Sequence, residues 1–189
     1  EFHGSPESVA EDARRFGEIL EDHGGAQYKW SARAEDRTAL WAMRHNAYYA
    51  VLGLIPGARA LVTDLCVPIS RLAEAVEQTQ ADIAASAIPG PILGHVGDGN
   101  FHAILLVDPH NPADLEEAKR LSHRMAERAL RLGGTCTGEH GVGLGKRAFM
   151  QAEHGEGWQV MGALKAAMDP RGILNPGKVL EPEMKAAAE

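Results

Sequence analysis

Apolar side chains recur every three to four residues through several long stretches of the chain, a spacing typical of amphipathic helices. Capping signals mark the ends of these stretches: Ser5-Pro6 and Asn111-Pro112 are typical starts, and Pro56-Gly57 and Gly133-Gly134 are typical stops. The pattern therefore predicts six helices, in chain order 6–22, 35–52, 71–87, 112–132, 144–153 and 158–168.

Shorter apolar runs, bounded by turn residues, lie between the helices and predict strands or extended segments. In chain order they cover 1–4, 27–32, 60–68, 92–96, 101–107 and 135–137. From residue 60 onward the order is strand, helix, strand, strand, helix, which resembles the ferredoxin-like split β-α-β arrangement. We therefore predict an α+β fold, in which an antiparallel sheet carries helices on one face and C-terminal helices follow.

Two histidines flank the predicted hairpin between the second and third of the main strands. The Asp98-Gly99 dipeptide favours a two-residue turn, and such a turn would place His95 directly opposite His102. Opposed side chains have Cβ atoms about 4.5–5.5 Å apart, so both imidazoles would reach one divalent metal. A pair of satisfied surface or core histidines is the alternative interpretation.

A second glycine-rich segment, Gly138 to Gly141, carries the adjacent residues Glu139 and His140. A carboxylate from Glu139 would complete a site of two histidines and one carboxylate, with His140 beside it as a group that moves protons. Such a ligand set suits zinc, manganese or ferrous iron. Asp98 is a further candidate ligand, although its place in the turn already explains its presence.

Composition narrows the function classes. The 189 residues are 44% apolar, enough for one ordinary domain with a buried core. The net charge of −7, with scattered basic residues, disfavours nucleic acid and anionic membrane surfaces as partners. No apolar run predicts a membrane-spanning helix. Cys66 and Cys136 form no Cys-x-x-Cys pair, so we expect buried cysteines in a reducing, cytosol-like compartment.

Three basic residues are candidates for binding anions. Arg44 lies within an apolar helical stripe, where it either snorkels to solvent or holds a substrate carboxylate with its planar fork. Lys146 and Arg147 follow the second glycine-rich segment and either attract anions or simply lie at an exposed helix end. The glycines there match neither the P-loop nor the dinucleotide-binding pattern, so nucleotide binding through this loop is not expected.

Five ordered motifs resemble the C-terminal domain of FAD-linked oxidases, and together they cover nearly the whole chain. They are Leu40 to Asn46, Asp64 to Leu72, Gly94 to His102, Gly134 to Gly143 and Asp169 to Lys178. Within that family the chain is most similar to cytochrome-linked D-lactate dehydrogenases and the glycolate oxidase flavoprotein subunit. The resemblance implies that residues 1–189 are a substrate-binding cap, and that FAD is held mainly by a separate N-terminal domain.

The resemblance also implies roles for individual residues. Arg44 matches an arginine that grips the carboxylate of a 2-hydroxy acid, and His140 matches the catalytic base. His95, His102 and Glu139 match ligands of a divalent metal, zinc or manganese. Ile104 stands where the 2-hydroxyglutarate branch has asparagine, so a small monocarboxylate such as D-lactate is expected as substrate, with glycolate next.

We expect the chain to be a fragment, with the FAD-binding domain and the start of the cap missing and with no activity in isolation. The full-length enzyme is expected in the cytoplasm, or peripheral to the inner membrane, with an electron acceptor that the sequence does not name. Two other functions are open: a metal-binding module without catalytic activity, and a metal hydrolase in which Glu139 or His140 activates water.

Overall fold

The computed structural model describes residues 1–26 and 28–180, and the chain divides into two compact units, Glu1–Ala47 and Tyr48–Glu189. The first unit contains α1 (Pro6–Asp22) and most of α2 (Ala34–Leu52), as the capping signals predict. The Ser5 side chain accepts a hydrogen bond from the Ser8 amide and so caps α1. The strands expected at 1–4 and 27–32 are wrong for the described residues of both segments, and Gln27 lies outside them.

An antiparallel sheet forms the centre of the second unit. It consists of β1 (Arg59–Val62), β2 (Leu65–Cys66), β3 (Ile92–His95) and β4 (Asn100–Val107). The central strand is β4, which pairs with β1 and β2 along one edge and with β3 along the other. The predicted α+β class is confirmed, while the strand expected over 60–68 is divided into β1 and β2.

The extended segment predicted at 135–137 is reduced to one antiparallel bridge between Thr135 and Cys66. This bridge lies on the outer side of β2, so the segments occur across the sheet in the order bridge, β1/β2, β4, β3. That order is the one expected for the ferredoxin-like arrangement, and it brings residue 135 and the loop after it to the edge beside β2.

Through residue 180, the rest of the second unit contains the helices α3 (Leu72–Ala84), α4 (Pro112–Arg131), α5 (Arg147–His154) and α6 (Glu156–Met168). The α3 and α4 helices supply core residues with Phe101 and Leu105 of β4, and Leu121 and Met125 of α4 are fully buried there. Between these two helices, buried Arg128 pairs with Asp82. No helix of the described residues is both long and apolar enough to cross a bilayer.

The other face of the sheet has two chemically different ends. Alternate residues of a strand, and residues opposed across antiparallel strands, share a face. By this rule Ile104 and Leu106 share a face with His102, and they form a small apolar cluster with Val51. Asn100, His102 and His95 occupy the opposite end of the same face, so this end is where the structure gathers polar side chains.

The hairpin register differs from the predicted one. His95 lies opposite Asn100, and His102 lies opposite Leu93, so the two histidines are diagonal neighbours rather than direct partners. The turn is wider because Val96–Asp98 form a short 3-10 turn and Gly99 takes the left-handed conformation at φ +74°. A Cβ on residue 99 would lie 2.0 Å from the Val67 carbonyl oxygen, so the turn depends on glycine. The slip moves the pairing by two residues, which leaves both histidines on one face.

Candidate functional site

The imidazoles of His95 and His102 meet at the polar end of the sheet face. Their ring centroids are 5.8 Å apart and the ring planes are nearly perpendicular. Diagonal positions on neighbouring strands still lie within reach of long side chains. The predicted proximity of the two rings is therefore confirmed, although the register that was expected to produce it is wrong.

Glu139 comes to this pair from the loop after residue 135. Its Oε1 atom lies 3.1 Å from His102 Nε2 and 3.5 Å from His95 Nε2. His140 also turns its Nε2 toward this oxygen, at 3.7 Å, and its ring stacks on that of His102 with centroids 5.1 Å apart. Three imidazole nitrogens thus surround one carboxylate oxygen, although 37 residues of sequence separate His102 from Glu139.

The backbone selects which nitrogen of His102 faces the cluster. Its Nδ1 atom is 3.0 Å from the Thr63 carbonyl oxygen, and since a carbonyl only accepts, Nδ1 carries the proton and donates. The other nitrogen, Nε2, then presents its lone pair toward Glu139. A hydrogen bond of this kind from the outer nitrogen is the usual way in which a metal-binding histidine is oriented.

The distances fit a shared cation. Two ligands about 2.0–2.2 Å from a tetrahedral ion lie about 3.3–3.6 Å apart. The separations of 3.1 and 3.5 Å from Glu139 Oε1 to the His102 and His95 nitrogens lie close to that range. The residues present therefore suit a divalent metal, and the three candidate ligand atoms all lie within 4.8 Å of one another.

A second grouping of possible ligands, Asp64, His102 and His140, is less suitable. The His102 nitrogen that faces Asp64 is Nδ1, 3.9 Å from Asp64 Oδ1, and this nitrogen already donates its proton to the Thr63 carbonyl oxygen. The Asp64 carboxylate also accepts several hydrogen bonds from the protein. The grouping of His95, His102 and Glu139 is therefore the candidate metal centre.

Comparison with known proteins agrees with this arrangement of motifs. Residues 1–179 match the family described as FAD linked oxidases, C-terminal domain. This chain belongs to that family.

Curated relatives of the domain include a probable mitochondrial D-lactate dehydrogenase of Danio rerio, 49% identical over 96% of this chain and 37% of the relative. A mitochondrial D-lactate dehydrogenase (cytochrome) of Arabidopsis thaliana is 38% identical over 97% of this chain and 33% of the relative. The glycolate oxidase subunit GlcD of Bacillus subtilis is 35% identical over 95% of this chain and 38% of the relative. The domain therefore spans little more than a third of the length of these relatives.

Asp64 lies next to the candidate site, and reasoning from the sequence did not single it out. Its side chain is 1% exposed, and its carboxylate accepts hydrogen bonds from the backbone N–H groups of Glu139 and His140. Burial alone would raise the pKa of Asp64, but these two amides and the Lys146 ammonium lower it to about 2. Asp64 stands in a recognised motif, but its partners are 75 and 76 residues away, so no local pattern could have indicated them.

Three other residues that the sequence suggested as ligands or anion-binding groups are not part of the candidate metal centre. Lys146 donates to the Asp64 carboxylate and carbonyl, so it completes an ion pair within the fold. Asp98 is exposed in the hairpin turn, outside both possible ligand groupings. Arg44 lies on the part of α2 that belongs to the first unit, where it is exposed, whereas the cluster lies wholly in the second unit.

The two cysteines take no part in the cluster. Cys136 is fully buried, and burial together with a hydrogen bond to Glu153 raises the pKa of its thiol to about 12. The expectation of a buried cysteine is confirmed for this residue. Cys66 is only partly buried, and its thiol donates to the Asp98 carbonyl oxygen at 3.3 Å.

Proposed function

We propose that this domain is the substrate- and metal-binding cap of a flavin-dependent D-2-hydroxy acid dehydrogenase, and that D-lactate is the preferred substrate. The observation that carries the proposal is the convergence of His95, His102 and His140 on one oxygen of Glu139. Family membership and the names of the relatives support the oxidation of a 2-hydroxy acid to the 2-oxo acid.

His95, His102 and Glu139 would hold the divalent metal, which we take to be zinc or manganese. When bound, such an ion acts as a Lewis acid that lowers the pKa of a coordinated hydroxyl group. Glu139 is 47% exposed and His95 is 38% exposed, whereas His102 is 10% exposed. The centre is therefore anchored on the sheet through His102 and stays open to a small molecule on the side of Glu139 and His95.

His140 is the proposed proton acceptor. Oxidation of a 2-hydroxy acid removes a proton from the hydroxyl group and a hydride from C2, and the oxidised flavin, when bound, is the hydride acceptor. The His140 side chain is 50% exposed and its ring is held against that of His102. An imidazole in this position takes the hydroxyl proton as a general base.

Arg44 is the proposed group that binds the substrate carboxylate. Its planar guanidinium donates two parallel hydrogen bonds to a carboxylate, which fixes the orientation of the acid as well as its affinity. This role rests on the match between the motif Leu40 to Asn46 and the family pattern.

Ile104 supports a small monocarboxylate as substrate. It follows His102 by two residues on the same strand face and packs into the cluster with Val51 and Leu106. An isoleucine offers no hydrogen bond to a second carboxylate, so D-2-hydroxyglutarate is disfavoured. Glycolate is the second candidate substrate, because relatives named glycolate oxidase subunits are 31–35% identical to the domain.

The test uses the full-length protein that carries this domain, purified with its flavin. Metal is removed with a chelator, and flavin reduction by D-lactate is followed without oxygen before and after zinc or manganese is returned. We expect reduction to be lost and then regained. Unimpaired reduction after complete metal removal would contradict the metal role, and no reduction by any 2-hydroxy acid would indicate a non-catalytic module.

Variants assign the role to particular residues. His95→Ala and Glu139→Gln are expected to lose both bound metal and flavin reduction, and His140→Ala is expected to lose reduction while it keeps the metal. His110→Ala is the matched control, because His110 is exposed in the connection between β4 and α4. Cleavage of an ester with metal alone would point to a hydrolase instead.

A substrate panel tests the specificity. D-lactate, L-lactate, glycolate and D-2-hydroxyglutarate are compared by kcat/KM in the same protein. We expect the order D-lactate, glycolate and then the other two, and a preference for D-2-hydroxyglutarate would contradict the role given to Ile104.

A further inference from the structure

We propose that Asp64 is a positioning residue for the candidate metal centre: its buried carboxylate fixes both ends of the 137–146 loop and so holds Glu139 beside His95 and His102. This inference rests on the proposed function, because it concerns the same metal centre. It adds a residue that neither contacts the substrate nor ligates the metal, and that nonetheless determines where a ligand lies.

The central sheet holds Asp64 in a fixed position. The pairing of β1 and β2 with β4 has one register, so Asp64, between the two short strands, lies opposite His102. The Thr63 amide donates to the Ala103 carbonyl oxygen at 3.0 Å, which continues the ladder through this gap. The carboxylate is therefore carried by the sheet itself, on the face that bears the metal-binding histidines.

The start of the loop is fixed to this carboxylate by three donors. The Thr137 hydroxyl lies 3.1 Å from Asp64 Oδ2, and the Glu139 and His140 amides lie 3.0 and 2.8 Å from the same oxygen. These amides belong to the two residues whose side chains enter the cluster. Their backbone position, and with it the direction of both side chains, is set by Asp64.

The end of the loop returns to the same residue. The Lys146 ammonium lies 3.3 Å from Asp64 Oδ2 and 3.0 Å from the Asp64 carbonyl oxygen, immediately before α5 begins. Three of the five residues between His140 and Lys146 are glycine, so this stretch has little rigidity of its own. A charged acceptor that joins both ends therefore replaces the rigidity that the sequence of the loop lacks.

Gly138 shows how closely the loop lies on its support. A Cβ at this position would be 2.8 Å from Asp64 Oδ1 and 2.5 Å from the Asn100 amide nitrogen. Any other residue would push the loop away from the carboxylate. Glycine at position 138 therefore allows the loop backbone to lie close to the Asp64 carboxylate.

The test replaces the carboxylate in the full-length protein with the nearly isosteric amide, Asp64→Asn. The matched control is Asp82→Asn, which removes another buried carboxylate, the partner of Arg128 between α3 and α4. Zinc affinity is measured by competition with a chromophoric chelator. Loss of an outer partner of a metal ligand costs about 10–100-fold in affinity, and we expect a loss of this size for Asp64→Asn and none for Asp82→Asn.

A second readout needs neither metal nor catalysis. Amide hydrogen exchange of the metal-free protein is followed by mass spectrometry on a peptide covering residues 137–146. In Asp64→Asn this peptide is expected to exchange faster while peptides from β4 and α4 keep their protection. In Asp82→Asn any loss of protection is expected between α3 and α4 instead. Unchanged zinc affinity in a folded Asp64→Asn variant would overturn the proposal.

A milder variant covers the case in which Asp64→Asn does not fold. Thr137→Val removes only the hydroxyl donor to Asp64, and one hydrogen bond corresponds to about a two- to ten-fold loss of zinc affinity. Its control is Thr79→Val, at a buried threonine whose hydroxyl accepts from Arg128. Equal zinc affinity in the two threonine variants would also overturn the role of Asp64.

The outcomes separate this inference from the proposed function. If the wild-type protein binds no metal, or if His95→Ala keeps it, the metal centre itself is wrong. If the wild type and His95→Ala behave as expected while a folded Asp64→Asn variant matches the wild type in zinc affinity, only the positioning role fails.

Discussion

The two faces of β4 are both buried but are used differently. One face presents Phe101, Ala103, Leu105 and Val107 to the core shared with α3 and α4. The other presents Leu106 and Ile104 to a small apolar cluster, then His102 to the candidate metal centre, and Asn100 opposite His95. One face of the strand thus belongs to the packed core, while half of the other face carries polar side chains of the candidate metal centre, and the packed face supports the polar one.

The largest expected effect is at the polar end. His102→Ala removes the ligand that is oriented by the Thr63 carbonyl, and metal affinity is expected to fall by more than the roughly 100-fold that loss of an outer partner can cost. Elemental analysis of the purified full-length protein checks this, with His110→Ala as the control. Retention of stoichiometric metal by His102→Ala would remove the distinction between the two faces.

The apolar positions are expected to behave in the opposite way. Leu105→Ala on the helix-covered face, and Leu106→Ala on the other, should each lower the free energy of unfolding by about 2–5 kcal/mol through lost packing. Metal bound per folded molecule should stay unchanged. Urea unfolding, followed by hydrogen exchange of peptides from β4, measures the free energy of unfolding. A loss of metal in folded Leu105→Ala would show that the two faces are not separable.

Arg44 tests whether substrate binding and metal binding reside on different parts of the chain. Arg44→Lys keeps the charge and loses the bidentate geometry, and the loss of one charge-assisted hydrogen bond corresponds to about a ten-fold rise in KM or more. Metal content should not change. An unaltered KM for D-lactate in steady-state kinetics would exclude Arg44 as the carboxylate-binding group.

The effect expected only under acidic conditions is on the pH dependence of stability. The pKa of Asp64 is about 2 in the folded protein and about 3.9 in an unfolded chain, so the unfolded state binds more protons between these values. The contribution of Asp64 to stability is therefore complete above about pH 4 and is lost as the pH falls toward 2. Unfolding measured from pH 5 downward should be less pH-dependent in Asp64→Asn. Equal slopes in the two proteins would contradict the ionised, hydrogen-bonded state of this carboxylate.

Local sequence signals predicted the helices well and the hairpin less well. Ser5-Pro6 and Asn111-Pro112 mark true helix starts, because a cap satisfies amides within three residues of itself. The Asp98-Gly99 dipeptide predicts too short a turn, because Gly99 lies against the carbonyl group of the distant Val67, where no side chain would fit. The two histidines still share a face, as predicted, because the observed register differs from the predicted one by an even number of residues.

The members of the cluster were predictable from the sequence, and the residue that supports them was not. His95, His102, Glu139 and His140 are residue types whose chemistry is visible in the sequence, and the structure brings all four together. Asp64 acts through backbone amides of a loop remote in sequence. Because almost every residue type has a backbone amide, the residue types in this loop do not indicate these contacts. Glycine at 138 was a visible signal, but the atoms that demand it are known only from the fold.

The most direct test of the central claim is the position of a metal in a crystal of the full-length protein grown with zinc. An anomalous difference map should show one peak about 2.0–2.2 Å from His95 Nε2, His102 Nε2 and a carboxylate oxygen of Glu139. A well-occupied zinc site elsewhere, with His95, His102 and Glu139 holding no ion, would contradict it.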